Sequence, residues 1–244
     1  MENNDKVFKE LVKSEDINII NNYLIEASRQ PDKNFLKHIS FLIENANTYV
    51  LEKIKLNLIF LLGEIGKNEK LNNKYLRFLV NSYFNSDRWI RNEIVETFNK
   101  LSIENELTDE IVNILAYSLL EDYTPIKYNA LNVIKKLTFL PDSIFKNLLK
   151  ILDHSNGDIV ESSMRILKFH FKNDQALYNM LNSSENYTLL EKNSIRSLLI
   201  AYFDSIINLE AFKKKITDSE WPKKYKTLFY NEIDTYQKIL AKRV

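Results

Sequence analysis

The sequence predicts an all-α protein, an α-solenoid built from about six to seven stacked helical hairpins. One helical phrase recurs six times, an Ile followed by apolar residues at +4, +5, +8 and usually +11. Its anchors are Ile19, Ile54, Ile90, Ile126, Ile159 and Ile195. Successive anchors lie 33 to 36 residues apart, a period typical of helical repeat arrays. The 244 residues include only 3 Gly and 4 Pro, which disfavours tight β-hairpins and glycine-rich phosphate loops.

Each phrase forms one face of a helix, because positions +4, +8 and +11 return to the same side at 3.6 residues per turn. The clearest copies begin at Ile54, Ile90 and Ile126. The copies from Ile19 and Ile159 are weaker. The copy from Ile195 places four residues in the predicted core, namely Leu199, Ile200, Phe203 and Ile206.

A second amphipathic helix precedes each phrase, and a polar break separates the two. Asp87 and Thr124 are suitable N-caps in these breaks, and Pro125 suits the first helical position. Each repeat is therefore a hairpin of helix A and helix B. The predicted hairpins cover residues 4–28, 32–66, 71–102, 107–138, 141–171 and 174–207, with a divergent C-terminal cap over 208–241, and form one array over 1–244. In the cap, Tyr225, Phe229, Ile233 and Tyr236 repeat the phrase.

The repeat resembles the HEAT family over roughly residues 5–207. The resemblance rests on a loop Asp, an aliphatic–basic pair on helix B and an LGxIG-like helix ending. These are Asp87 before Ile90-Arg91, Asp122 before Ile126-Lys127, the pairs Ile54-Lys55 and Ile195-Arg196, and Leu62-Gly63-Glu64-Ile65-Gly66. Ile19-Ile20 and Ile159-Val160 depart from the pair. The resemblance implies a right-handed superhelix whose B helices line an extended concave surface.

Composition narrows the chemistry that we expect. The net charge is +1 and there is no Cys, which excludes disulfides, thiolate metal sites and cysteine nucleophiles. The three His are not spaced as metal ligands, so we expect no metal site, no cofactor and no catalytic residue. The N-terminus lacks the features of a signal peptide. The most apolar run is interrupted by Lys55, Asn57 and Glu64, so we expect no transmembrane segment and a cytoplasmic location.

The helix-B positions opposite the core stripe are the predicted partner-binding residues. They are Leu56, Phe60, Trp89, Asn92, Glu96, Tyr128, Asn132, Arg165 and Lys168. Leu198 is predicted to lie on the same face. Large apolar groups are unexpected on a solvated face, and aromatic and Arg side chains are common interface anchors. The alternative is that neighbouring B helices pack through these positions.

These observations favour a non-enzymatic scaffold or adaptor that binds a protein or peptide segment on the concave helix-B face. The resemblance also leaves a second function open, a HEAT-like DNA-binding protein or an alkylated-base DNA glycosylase. Such glycosylases use Trp, Asp and Arg in a positively charged cleft, and Trp89, Asp87 and Arg91 fall in one repeat. The near-neutral charge and Glu96 on the predicted wall make nucleic acid the less favoured partner.

A third hypothesis concerns the C-terminal region, which has nine Lys and Arg against four Asp and Glu over residues 211–244. A basic patch there is a candidate for docking to nucleic acid or to an acidic membrane. Its residues are Lys213, Lys214, Lys215, Lys223, Lys224 and Lys226. The alternative is a solvated terminal helix. The sequence does not indicate an oligomeric state.

Overall fold

The computed structural model describes Phe8, Glu10, Lys13, residues 15–101 and residues 107–242. Within these residues the regular structure is helical and contains no strand, which confirms the all-α prediction. The helices are α1 (Ile17–Arg29), α2 (Phe35–Asn45), α3 (Thr48–Gly66), α4 (Asn73–Phe84), α5 (Arg88–Leu101), α6 (Asp109–Ser118), α7 (Thr124–Ile134), α8 (Asp142–Ile151), α9 (Gly157–His170), α10 (Asp174–Asn182), a 3-10 helix (Ser183–Leu189), α11 (Lys192–Tyr202), α12 (Ile206–Asp218) and α13 (Lys223–Ala241). The beginning of the predicted hairpin 4–28 and residues 102–106 lie largely outside the described part.

Short polar side chains set the helix starts. The Asp87 carboxylate accepts the backbone N–H groups of Trp89 and Ile90 at 2.9 and 3.0 Å, which confirms the predicted N-cap of α5. Such a cap satisfies donors that the first helical turn leaves without partners. The same role belongs to Asp16, Asn47, Asn72, Asn156, Asn173 and Ser205.

Most of the predicted core stripe is buried. The copies that begin at Ile54 and Ile126 bury Leu58, Ile59, Leu62, Ile65, Ala130, Leu131 and Ile134 together with both anchors. In the C-terminal cap, Phe229, Ile233 and Tyr236 are also buried. The period of the phrase therefore identified the buried face of these helices.

Single positions in two copies of the phrase were assigned to the wrong side of the helix, although Leu24, Ile195, Leu199 and Phe203 of the same copies are buried as assigned. Ile19 is 49% exposed, whereas Ile20 is fully buried, because α1 turns its neighbouring residue inward. On α11, Ile200 is 63% exposed and Leu198 is only 2% exposed, so both assignments were wrong. Ile206 opens α12 instead of continuing α11, since α11 ends at Tyr202 and Ser205 caps the next helix.

The chain divides into two compact units. The first holds Met1–Ser118 and Asp122–Val133, and the second holds Leu119–Glu121 and Ile134–Val244. In the first unit α3 packs against both α1 and α5, while α2 contacts α3, α4 contacts α5, and α6 contacts both α4 and α5. In the second unit α11 contacts α8, α9 and α13, and α12 contacts α10 and α13. Within each unit, helices thus contact the second helix along the chain as well as their neighbour.

The interface of α3 with α5 is the most extensive helix contact in the described structure. Two of the three glycines lie on it. A Cβ atom at Gly63 would lie 2.9 Å from Thr97 Oγ1, and one at Gly66 would lie 2.1 Å from Leu101 Cδ2. Both distances are below van der Waals contact. Helices α3 and α5 can therefore approach this closely only because Gly63 and Gly66 have no side chain.

Polar and aromatic contacts between helices stabilise the second unit. Trp221 stacks on Tyr187 with ring centroids 4.2 Å apart, and its Nε1–H donates to Asn182 Oδ1 at 2.8 Å. Arg196 on α11 forms an ion pair with Glu232 on α13, whose side chain is only 3% exposed.

None of the described helices combines the length and apolar composition needed to cross a membrane.

Candidate partner-binding surface

An apolar stripe on α3 remains open to solvent after α1 and α5 have packed against that helix. Leu56 is 43% exposed, Phe60 is 37% exposed and Tyr49 is 66% exposed. The three residues follow each other at helical spacing and so lie along one side of α3. Leu56 and Phe60 were predicted for this surface, and Tyr49 extends it toward the start of the helix.

The Phe60 ring lies beside a charged cluster that joins α3 to α5. The Lys100 ammonium lies 4.5 Å from the centroid of that ring, within the range of a cation–π contact. The same ammonium lies 3.1 Å from Glu64 Oε1 and 3.4 Å from Glu93 Oε1. The Lys100 side chain is 11% exposed, so the cluster is shielded from water and is fixed to both helices.

The two carboxylates of this cluster respond to it in opposite directions. Burial raises the pKa of Glu93, and the opposing attraction of Lys100 does not cancel that effect. Burial also acts to raise the pKa of Glu64, but hydrogen bonds from Lys67 and Lys100 together outweigh it and lower that pKa. Glu93 is therefore the carboxylate of the pair that more readily takes up a proton.

Trp89 is exposed at the beginning of α5 and is held by aromatic and cationic neighbours. Its ring is 56% exposed and meets Tyr123 edge to face at a centroid distance of 5.6 Å. The Arg88 guanidinium lies 5.2 Å from the Trp89 ring and 5.3 Å from the Tyr123 ring. Sequence reasoning assigned Tyr123 to a polar break and missed it. An aromatic residue three positions before the Ile126 anchor was the available signal.

Some predicted surface residues take part in packing between B helices. Asn129 Nδ2 donates to Asn92 Oδ1 at 3.2 Å, which joins α7 to α5. Asn92, Glu96, Tyr128 and Asn132 are half-buried. Asn92 therefore takes part in packing between neighbouring B helices, which was the alternative to partner binding. Leu56, Phe60 and Trp89 keep a larger exposed area.

In the second unit, the predicted residues lie on α9. Arg165 is exposed and forms an ion pair with Glu161 one turn earlier. Lys168 Nζ donates to the Ala201 carbonyl oxygen at 2.9 Å. Lys168 thus satisfies a carbonyl in the last turn of α11, where a cation is favoured by the helix dipole.

The predicted basic patch is partly used inside the fold. Lys213 pairs with Asp234 at 2.7 Å, and Lys215 pairs with Asp174 at 2.6 Å. The hydrogen bond to Asp234 raises the pKa of Lys213. Lys226 donates to the carbonyl oxygens of Thr217 and Ser219 at 2.8 and 2.6 Å. The exposed cations of the patch are Lys214, Lys223 and Lys224.

The Trp, Asp and Arg residues that suggested a glycosylase also build the start of α5. Asp87 is the N-cap, and Arg91 Nη1 donates to the Ser86 carbonyl oxygen at 2.8 Å. These contacts account for Asp87 and Arg91 without a ligand. Among the described residues, no group of three or more His, Asp and Glu side chains is arranged to hold a metal ion.

No protein-family model matches the chain, and no curated protein matches it significantly. The HEAT resemblance therefore rests on the period of the phrase and on the residues that carry it.

Proposed function

We propose that this chain is a HEAT-like, right-handed α-solenoid that serves as a non-enzymatic scaffold or adaptor. It binds a protein or peptide segment on the exposed face of α3 and α5. The observation that carries the proposal is the exposure of Leu56, Phe60 and Trp89 on two helices that are packed against each other. Exposed apolar groups that persist beside an extensive helix contact are a mark of an interaction surface.

Regular contacts between B helices support the solenoid part of the proposal. Asn57 Nδ2 donates to Asn21 Oδ1 at 2.7 Å, as Asn129 Nδ2 does to Asn92 Oδ1. Asn57 and Asn129 each lie three residues after an anchor Ile. Each therefore reaches the preceding B helix from the same repeat position, as stacked repeats require.

The chemistry of the exposed groups favours a peptide that carries large apolar side chains. Aromatic and Arg residues dominate binding energy at protein interfaces. Trp and Tyr bury much area at a low cost in side-chain entropy. Trp89, Arg88 and Tyr123 already hold each other in place. Their mutual contact restricts the rings before binding and lowers the cost of ordering them.

The test compares two pairs of aromatic residues. The double variant Phe60→Ala, Trp89→Ala removes rings from the B helices. The control Phe84→Ala, Tyr117→Ala removes rings from A helices α4 and α6, where the side chains are 60% and 51% exposed. Proteins captured by the wild-type chain are purified, and their dissociation constants from the wild type, the B-helix variant and the control are measured by calorimetry.

We expect the B-helix variant to weaken binding by about 2 kcal/mol, roughly thirtyfold, and the control to bind like the wild type. Each double variant should lose about 1 kcal/mol of stability, because the rings are partly exposed but keep contacts such as that of Phe60 with Lys100. Equal weakening by both variants, or wild-type affinity in the B-helix variant, would contradict the proposed surface.

A further inference from the structure

A second surface feature of the first unit lies on the other side of α3. A cleft of about 480 Å³ opens between α4 and the end of α2 with the start of α3. Its charged lining residues are three cations, Lys55, Lys74 and Arg77, and one carboxylate, Glu52. The size is in the range of small-molecule sites, roughly 300–1,000 Å³. Glu44 pairs with Lys74 at the edge of the cleft, so three cations face two carboxylates, and the remaining positive charge favours an anion as occupant.

Lys55 is an unusual residue for a merely structural position. Its side chain is 6% exposed, and its ammonium pairs with Glu52, whose side chain is 50% exposed. An ammonium removed from water loses hydration that one carboxylate does not fully replace, so an apolar side chain of similar length would be less costly. The ammonium has three donors, and it faces the cleft with donors left for a ligand.

The opposite wall of the cleft adds further donors. Lys74 is oriented by contacts with Ser40 and Glu44. Arg77 is exposed, and it also lines a neighbouring cleft that contains Glu110. A guanidinium of this kind binds phosphate oxygens in a two-pronged fashion. The side chains of Asn81 and Asn85 also line the cleft and present amide groups.

We propose that this cleft binds a small phosphorylated compound with a diphosphate-like group, held by Lys55, Lys74 and Arg77. Three cations around one cleft match the spread of charge over two linked phosphates better than a single carboxylate. The inference is independent of the proposed partner surface, because the cleft and the Leu56–Phe60 stripe use different sides of α3.

The probe is inorganic pyrophosphate, added to the full chain at constant ionic strength, with sulfate as the reference anion. Calorimetry gives the dissociation constant, and the unfolding midpoint temperature reports saturable stabilisation. Arg77→Gln removes the exposed guanidinium, and Lys55→Met keeps the length of a buried side chain without its charge. Lys53→Gln is the matched control, since it removes one cation from an exposed position of the same helix.

We expect pyrophosphate to bind the wild-type chain saturably and to raise its midpoint temperature more than sulfate does. Arg77→Gln and Lys55→Met should each weaken binding at least about tenfold, which corresponds to 1.4 kcal/mol. Without ligand, Lys55→Met should unfold at the same or a higher temperature than the wild type, because a buried charge has been removed. Lys53→Gln should change the dissociation constant by less than about twofold.

Three results would overturn the proposal. The first is the absence of saturable pyrophosphate binding to the wild-type chain at about 1 mM. The second is equal weakening by Lys53→Gln and Arg77→Gln, which would indicate a diffuse electrostatic effect. The third is wild-type affinity in both Arg77→Gln and Lys55→Met. If Lys55→Met does not fold, Arg77→Gln and its control alone decide the outcome.

Discussion

Gly66 offers a sharp test of how closely α3 and α5 approach each other. It is the last residue of α3, and a Cβ atom there would lie 2.1 Å from Leu101 Cδ2. Leu101 is fully buried, so its side chain has no solvent to move into. Gly66→Ala should therefore destabilise the protein, although Ala is the better helix former.

Two opposing effects set the magnitude. Adding a methyl group to a packed core costs about 1–3 kcal/mol. Replacing Gly by Ala within a helix gives back up to about 1 kcal/mol. Because the clash involves a buried Leu, we expect the first effect to win and the net loss to be about 1–2 kcal/mol.

The free energy of unfolding is measured by urea titration followed by far-UV circular dichroism. Gly157→Ala is the control, because nothing lies within 4 Å of a Cβ atom at that position. It should be neutral or slightly stabilising. In a Leu101→Ala background the added methyl group at residue 66 should no longer be destabilising, since the atom it meets is gone. A Gly66→Ala protein as stable as the wild type would refute the close approach described for α3 and α5.

Three further outcomes follow from single side chains. Ile126→Asp should cost about 3–5 kcal/mol, because Ile126 is fully buried and the charge would lack a partner; an unchanged urea midpoint would show that the register is wrong. Lys226→Met should cost about 1 kcal/mol in the same assay through loss of its bonds to two carbonyl oxygens, and no loss would mean that they add nothing. Burial raises the pKa of Glu93 above its ordinary 4.5 in the folded state, so its protonation favours folding at low pH, and this contribution is lost as pH rises through the folded pKa. The free energy of unfolding of Glu93→Gln, taken relative to that of the wild type, should therefore be higher at about pH 7 than at about pH 4. A difference between the two proteins that does not change with pH would contradict this.

The sequence was sufficient for the helical class and for much of the core. A period set by burial constrains every repeat, so Ile54, Ile126 and their stripes were assigned correctly. The errors at Ile19 and Ile200 have a local cause. Where two adjacent aliphatic residues both fit the phrase, as in Ile19-Ile20 and Leu199-Ile200, the period does not show that only one of them faces inward.

The candidate surface was harder to predict, because exposure depends on what neighbouring helices cover. Asn92 and Leu56 each lie two residues after an anchor Ile, yet Asn92 is hydrogen-bonded to α7 while Leu56 stays exposed. The cluster of Lys100 with Glu64 and Glu93 joins residues from two repeats. A single repeat unit shows no spacing that would reveal such a cluster.

That cluster links partner binding to protonation if Phe60 is part of the interface. Lys100 on the same helix and Glu64 on α3 face Glu93, and Glu96 adds repulsion from the next turn. A partner that covers Phe60 excludes water from this group, which raises the pKa of Glu93 further. The complex should therefore take up a proton, and its dissociation constant should fall as pH is lowered from neutral toward the pKa of Glu93.

Calorimetry in two buffers of different ionisation enthalpy measures the proton uptake directly. Glu93→Gln should abolish the uptake. The control Glu26→Gln, which changes an exposed carboxylate on α1, should leave it unchanged. Proton uptake that persists in Glu93→Gln would place the titrating group elsewhere and remove Glu93 from this account of binding.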